Sequence, residues 1–316
     1  MINPVHSLIP YASAMRSDWD RIVDRARNGH FMFQRGYMEY HSNRFPDCSY
    51  LLLRNQKPVA LLPAHRQNEE LISHKGLSFG GWILAPKCLY SDLEAGFQML
   101  AEDMAKNGLA RLVYSPSPSP YHRGPCEDDL FILQKNGARC HSLKLGAFLR
   151  HADGLPQTWG LRRRLKRGEE KLSCVFEETE NLDQFWDHQT EFHKKNFGAT
   201  PVHGREEMRL LKSRFPSCIR MIIGRQGSDW LTGRVLFLSQ QVLRFQYDFW
   251  NTDFPRAILT DRMTKWVLQQ PDYARRWVDF GTSNDPQSGE LTKSLHLHKE
   301  VLGARGLPLS TWIWEL

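Results

Sequence analysis

Two apolar runs end in side chains of the types that proton transfer and charge stabilisation require. "LRFQYDFWN" carries Tyr247 and Asp248, and a phenol or carboxylate at a strand end can give or take a proton. "VDFG" places Asp279 and Gly281 at the end of the other run, followed by Thr282 and Ser283. Ligands of open α/β sheets bind beyond the carboxyl ends of strands, and Gly281 lets the backbone turn sharply or approach a ligand closely. Downstream, Lys293 and Lys299 share a helical stretch on which Thr292, His296 and Lys299 fall at i, i+4 and i+7. An ammonium aimed into a cleft can hold a developing oxyanion or a phosphate.

A third cluster is cationic: "WGLRRRLKRGEEKL" packs Arg162, Arg163, Arg164, Lys166 and Arg167 together. As a helix it puts Leu161, Leu165 and Leu172 on one apolar stripe, leaving Arg163, Lys166 and Arg167 away from the protein. Glu169 and Glu170 can pair with Lys166, so a solvated amphipathic helix is one reading. The other is a phosphate site, because guanidinium forks bind phosphate bidentately. Only Trp159 sits nearby, whereas nucleic-acid binding prefers aromatics interleaved with charge. Phosphate on a small ligand is preferred to DNA.

Other residues carry weaker signals. His203 lies in a loop, where a lone histidine is usually solvated. Tyr247 and Asp248 are strand neighbours and point to opposite faces, so one of them serves. His122, Glu127, Asp128 and Asp129 lack a second cluster at ligand spacing, and no metal is expected. Gly80 and Gly81 suit a bulge within a strand.

These residues need elements to position them. Helices are expected over 17–29, 91–108 (capped by Ser91 and Glu94), 127–136, 161–171, 181–198, 204–215, 256–270 and 289–302. Strands are expected around the turn at 55–58, over 71–84, 110–115 and 141–149, as three segments within 218–250, and over 276–281 and 307–315. The order helix, antiparallel meander, helix, strand, helix, strand therefore occurs twice.

With 316 residues the chain suits two domains, 1–150 and 151–316. Its 41% hydrophobic and 24% charged residues are those of a globular protein. No apolar run reaches the ~20 residues of a membrane span, no basic start precedes an apolar stretch as in a signal peptide, and the six cysteines are scattered. A cytoplasmic location is expected. The net charge of +7 favours an anionic partner.

The repeated order is that of the GNAT acyltransferase fold. The segment 278–304, "VDFGTSNDPQSGELTKSLHLHKEVLGA", resembles the closing motif of the FemAB-like, tandem-GNAT transferases, whose lysine matches Lys299. "HFMFQRGYMEY" (30–40) is similar to that family's N-terminal segment, and the basic stretch 161–171 resembles the one opening its second domain. The chain departs from the family's aminoacyl-tRNA-using members by lacking the long charged helical arm that many of them carry. It departs from ordinary GNAT enzymes as well, because "NTDFPRAILTD" stands where their acyl-CoA loop Arg/Gln-x-x-Gly-x-Gly/Ala would precede residue 256.

The resemblance implies an α/β fold with mixed sheets, built as two tandem GNAT-like domains with the transferase motifs in the second. It implies an N-acyltransferase that moves an acyl group from acyl-CoA to the amine of a nucleotide- or lipid-linked sugar in cell-surface polysaccharide synthesis. Asp248, Tyr247 and Lys299 are then the catalytic candidates, with Asp248 as base. Arg163, Lys166, Arg167, Asp279, Gly281, Thr282, Ser283 and Lys293 bind substrate or cofactor. Transient contact with the inner membrane surface of the cell envelope is compatible with such an acceptor. The alternatives are transfer from aminoacyl-tRNA to a peptidoglycan precursor, and a non-catalytic module binding RNA or glycolipid.

Overall fold

A computed structural model describes residues 4–316. The chain divides into two units, Met1–Lys144 with Pro308–Leu316, and Leu145–Leu307. The C-terminal segment thus differs from the division at residue 150. Trp312 to Glu315 pair antiparallel with Tyr114 to Arg111, and Trp314 joins the first unit's core.

In the first unit, Tyr50–Arg54 and Lys57–Leu62 form a hairpin. Asn55 and Gln56 turn it at φ of 49° and 63°, the left-handed pair that matches the twist of paired strands. His6–Pro10 and Ile83–Leu84 flank it. The helix Tyr90–Lys106 lays Leu93, Phe97, Leu100 and Met104 on this surface, one stripe at helical spacing.

Two expectations fail here. The helix is not capped by Ser91 and Glu94: the buried carboxylate of Asp92 accepts the Leu89 N–H and is fixed by Arg54 and His6, partners remote in sequence. Residues 71–84 are two strands, Glu70–Ile72 and Ile83–Leu84. Between them Gly81 takes φ +83° against the Tyr114 hydroxyl and Gly80 donates to Ser115, so the pair lies in a connecting loop and not in a strand bulge.

The second unit is built on a meander. The strands Ile219–Gln226, Asp229–Leu238 and Val242–Trp250 pair antiparallel, and Val175–Glu178, which the sequence did not announce, adds the outer edge. Trp277–Thr282 lies parallel to Val242–Trp250 and antiparallel to residues 146–150. The helix Leu182–Phe197 starts where the Asn181 side chain accepts the Gln184 N–H and ends at Gly198 with φ +62°. The helix Arg256–Leu268 buries Leu259, Met263 and Val267, and the last two join the core with Leu236, Leu243 and Val278. Among the described residues no helix is long and apolar enough to cross a membrane.

A histidine cluster gives the first unit a pH dependence. His41 and His74 stack at 5.3 Å, and His65 meets His74 edge-on at 5.4 Å. Burial pushes the His65 imidazole down to about 4 and that of His74 well below its usual value. Both are neutral in the folded state, while an unfolded histidine protonates near pH 6.5. Their contribution is complete above pH 6.5 and is lost as pH falls toward 4. Thermal unfolding at pH 7.5 and 4.5 should show a lower transition in acid, and His65→Gln should narrow that difference. An unchanged difference would remove His65 from the cause.

Candidate active site

The cleft begins where two parallel strands part. Val242 to Arg244 pair with Trp277 to Asp279 and then the pairing stops, although both strands continue. At the last pair, the Arg244 guanidinium donates to Asp279 Oδ2 at 2.8 Å. The other carboxylate oxygen accepts the Gly281 N–H at 2.7 Å. Register to the neighbouring strand slips between Asp279 and Thr282, and Gly281 there takes φ +73°, which glycine adopts without strain. The opposite strand bulges as well: Val235 faces Tyr247 and Leu236 faces Phe245, leaving Gln246 over. Phe245 and Phe280, the first residues past the fork, meet edge-to-face at 5.0 Å.

Beyond them opens a cleft of about 160 Å³, lined by Arg234, Asp248, Arg256, His298 and Lys299 among others. Lys299 is buried, and its Nζ donates to the carbonyls of Gly281 at 3.0 Å and Thr282 at 2.7 Å. Both carbonyls lie at the register slip, and one of the three ammonium N–H donors remains. Burial pushes Lys299 down to about 8, with Asp279 acting in the opposite sense. Arg256 opens the helix Arg256–Leu268, which has no side-chain N-cap. Burial lowers its guanidinium, whose buried Nε has no hydrogen-bond partner among the described residues. Uncapped helix N–H groups beside an arginine favour an anion.

Asp248 is held bidentately by Arg234, at 2.6 and 2.9 Å. Arg234 also donates to Thr264 and covers the Phe245 ring at 3.9 Å. Both oxygens of Asp248 being engaged, it is better suited to fixing charge than to accepting a proton. Tyr247 points to the other face, as period two requires. Its hydroxyl meets His203, its ring packs edge-on against Trp186, and burial pushes it up to about 12.

The cleft therefore brings Asp248 and Lys299 together and Tyr247 lines it as well, its hydroxyl turned to His203, with Asp279, Gly281 and Thr282 as the frame beneath. Ser283 is buried against His296, and Lys293 is exposed at the start of its helix. Arg163, Lys166 and Arg167 lie outside the cleft. Arg163 covers Trp159 at 4.8 Å, Lys166 is 3.8 Å from Glu170, and all three are exposed. The contribution of that helix, Trp159–Lys171, is Arg164, which reaches the fully buried Asp261 at 2.7 Å. Arg262 holds the helix in place by donating to the carbonyls of Gly168 and Leu172. Asp261 also meets His298 at 3.0 Å. Arg164 was read only as one of the cationic cluster, and Arg234, Arg256, Asp261 and His298 were not singled out from the sequence. The usable signal was "TDRMT", polar side chains on every face of a helix that packs on a sheet.

Among the described residues no group of three or more His, Cys, Asp or Glu could hold a metal ion. No protein-family model matches the sequence, and no curated protein does. Solved structures do match. FemX aligns over 98% of this chain and 97% of its own, with a TM-score of 0.71 at 10% identity. This is the tandem GNAT fold. A tandem GNAT protein from the clavulanic acid biosynthesis pathway matches over 98% of both chains, at TM-score 0.56 and 12% identity. L-PGS from Bacillus licheniformis covers 81% of this chain with 80% of its own, at 0.55 and 11%. At such identities the likeness carries the fold alone.

Removing one partner of the Arg234–Asp248 pair should be costly, because it strands a charge in a poorly solvated cleft. Arg234→Met is expected to lower stability by about 3 kcal/mol in chemical denaturation, and adding Asp248→Leu should restore part of that. A single variant as stable as the parent would show that the pair is solvated.

Proposed function

We propose that this chain is an N-acyltransferase that carries an acyl group from acyl-CoA to the amine of a nucleotide- or lipid-linked sugar in cell-surface polysaccharide synthesis. The observation that supports it most is Lys299, an ammonium buried in the fork of splayed strands and anchored by two carbonyls. When an amine adds to an acyl carbonyl, negative charge develops on the carbonyl oxygen, and a fixed ammonium in a water-poor cleft stabilises it. Arg256 and the uncapped helix start beside it suit the donor's phosphates. Asp248 acts through Arg234 by fixing the charge of the cleft wall. His298, which lines the cleft and lies 3.0 Å from the buried Asp261 carboxylate, is the better-placed proton acceptor. Arg163 and Arg167 bind the acceptor's phosphate in this reading, and Tyr247 shapes the opposite face.

A second reading, transfer from aminoacyl-tRNA, is favoured by one feature: "NTDFPRAILTD" lacks the glycine-rich loop on which GNAT enzymes lay acyl-CoA. Ribonuclease sensitivity of the activity separates the two donors.

Lys299→Met keeps the bulk of the stem and removes the charge. It should lower kcat by a factor of ~10²–10³ with little change in KM. Since the ammonium is the working form, kcat should decline as pH rises through about 8, and in Lys299→Arg that alkaline limb should move upward. Near-normal turnover in Lys299→Met, or a limb that stays in place in Lys299→Arg, removes this lysine from the mechanism.

Arg163→Gln with Arg167→Gln should raise the KM for the acceptor while leaving the unfolding transition unchanged, because both side chains are exposed. An unaltered KM would make this helix face a solvated surface.

A further inference from the structure

Apart from the cleft, the second unit holds a hollow of about 250 Å³ between the C-terminal half of the helix Leu182–Phe197 and the strand ends at Trp230 and Phe249–Thr252. Half of its lining residues carry rings: His188, Phe192, Trp230, Phe249 and Trp250. The His188 ring stacks on Trp230 at 5.7 Å and on Phe249 at 5.2 Å, within 24° of parallel in both cases. Phe192 lies 4.4 Å from Trp250.

The rim is polar and rich in acceptors. Asn196 uses its amide N–H on the Phe192 carbonyl, which leaves its side-chain oxygen. Asn251 uses that oxygen on the Asp253 N–H, which leaves its amide donors. Glu191 is exposed, and among the described residues its carboxylate has no ion-pair partner. The rim's one cation, Lys195, donates to Thr252. Aromatic faces accept the apolar face of a ring. A carboxylate and an amide oxygen accept hydroxyl donors, and the carboxylate opposes a phosphate at the same spot. The hollow falls below the ~300–1,000 Å³ of sites for drug-sized ligands, which suits a single ring.

Trp250 connects this hollow to the cleft. The guanidinium of Arg256, a cleft residue, lies over the Trp250 ring at 4.8 Å. A ring seated in the hollow would therefore lie next to the proposed anion site.

We propose that this hollow binds the pyranose ring of the acceptor sugar. That the ring belongs to the acceptor rests on the transfer reading above; that a pyranose binds here does not.

Saturation-transfer NMR tests it, with glucosamine 1-phosphate and AMP as probes of the parent, Trp230→Ala and Glu191→Gln. Saturation should reach the pyranose protons, and the affinity for glucosamine 1-phosphate should weaken about tenfold in either variant. Glu191 is exposed, so Glu191→Gln keeps the test open if Trp230→Ala fails to fold. Preferential saturation of the AMP purine, absence of pyranose binding, or pyranose binding equal in parent and Glu191→Gln overturns the proposal. Pyranose binding that depends on Glu191, with no acyl transfer from any acyl-CoA, keeps the sugar site and sinks the transfer reading. Acyl transfer to an amino sugar with KM unchanged in Glu191→Gln does the reverse.

Discussion

One buried carboxylate, Asp279, sets the shape on which the second unit's cleft depends. One oxygen takes the Arg244 guanidinium at the last paired position of two parallel strands, and the other takes the Gly281 N–H inside the strand's slip. The first contact fixes where the strands stop pairing. The second turns the Gly281 and Thr282 carbonyls toward Lys299. A charge this deeply buried is tolerated only with a full set of partners, so the fork, the slip and the lysine anchor form one linked arrangement.

The cleft's electrostatics follow from that frame. Lys299, Arg234 and Arg256 are gathered around one lining carboxylate, Asp248, which is already engaged by Arg234. A second carboxylate, Asp261, is fully buried behind the wall between Arg164 and His298. Burial weakens the hold of Lys299 and Arg256 on their protons, because an ammonium or guanidinium loses hydration there. An anionic ligand, or an oxygen gaining negative charge, relieves that cost.

Much of this was legible in the sequence where the signals are local. Asn181 and Gly198 bracket their helix, the turn at Asn55 and Gln56 marks its hairpin, and period two separates Tyr247 from Asp248. Lys299 was reachable because its motif resembles one of known position. What was not legible depends on partners distant in the chain. Nothing in Gln246 announces a bulge, since a bulge is a mismatch with the neighbouring strand. The real start of the helix Tyr90–Lys106 is set by Asp92 with Arg54 and His6, not by Ser91. The last strand pairs with Arg111–Tyr114, a choice that local alternation cannot encode. Arg163, Lys166 and Arg167 drew attention by their density, yet the helix reaches the buried network through the less exposed Arg164.

In the proposed reaction the fork of splayed strands transfers an acyl group to an amine. Mass spectrometry of the products tests it most directly, after incubating the full chain with a panel of acyl-CoAs and nucleotide-linked amino sugars. Transfer at the fork yields an amino sugar heavier by one acyl group, with free CoA released in equal amount. Unchanged amino sugars and intact acyl-CoA across the panel, with product formed only when charged tRNA is supplied or not at all, would contradict it.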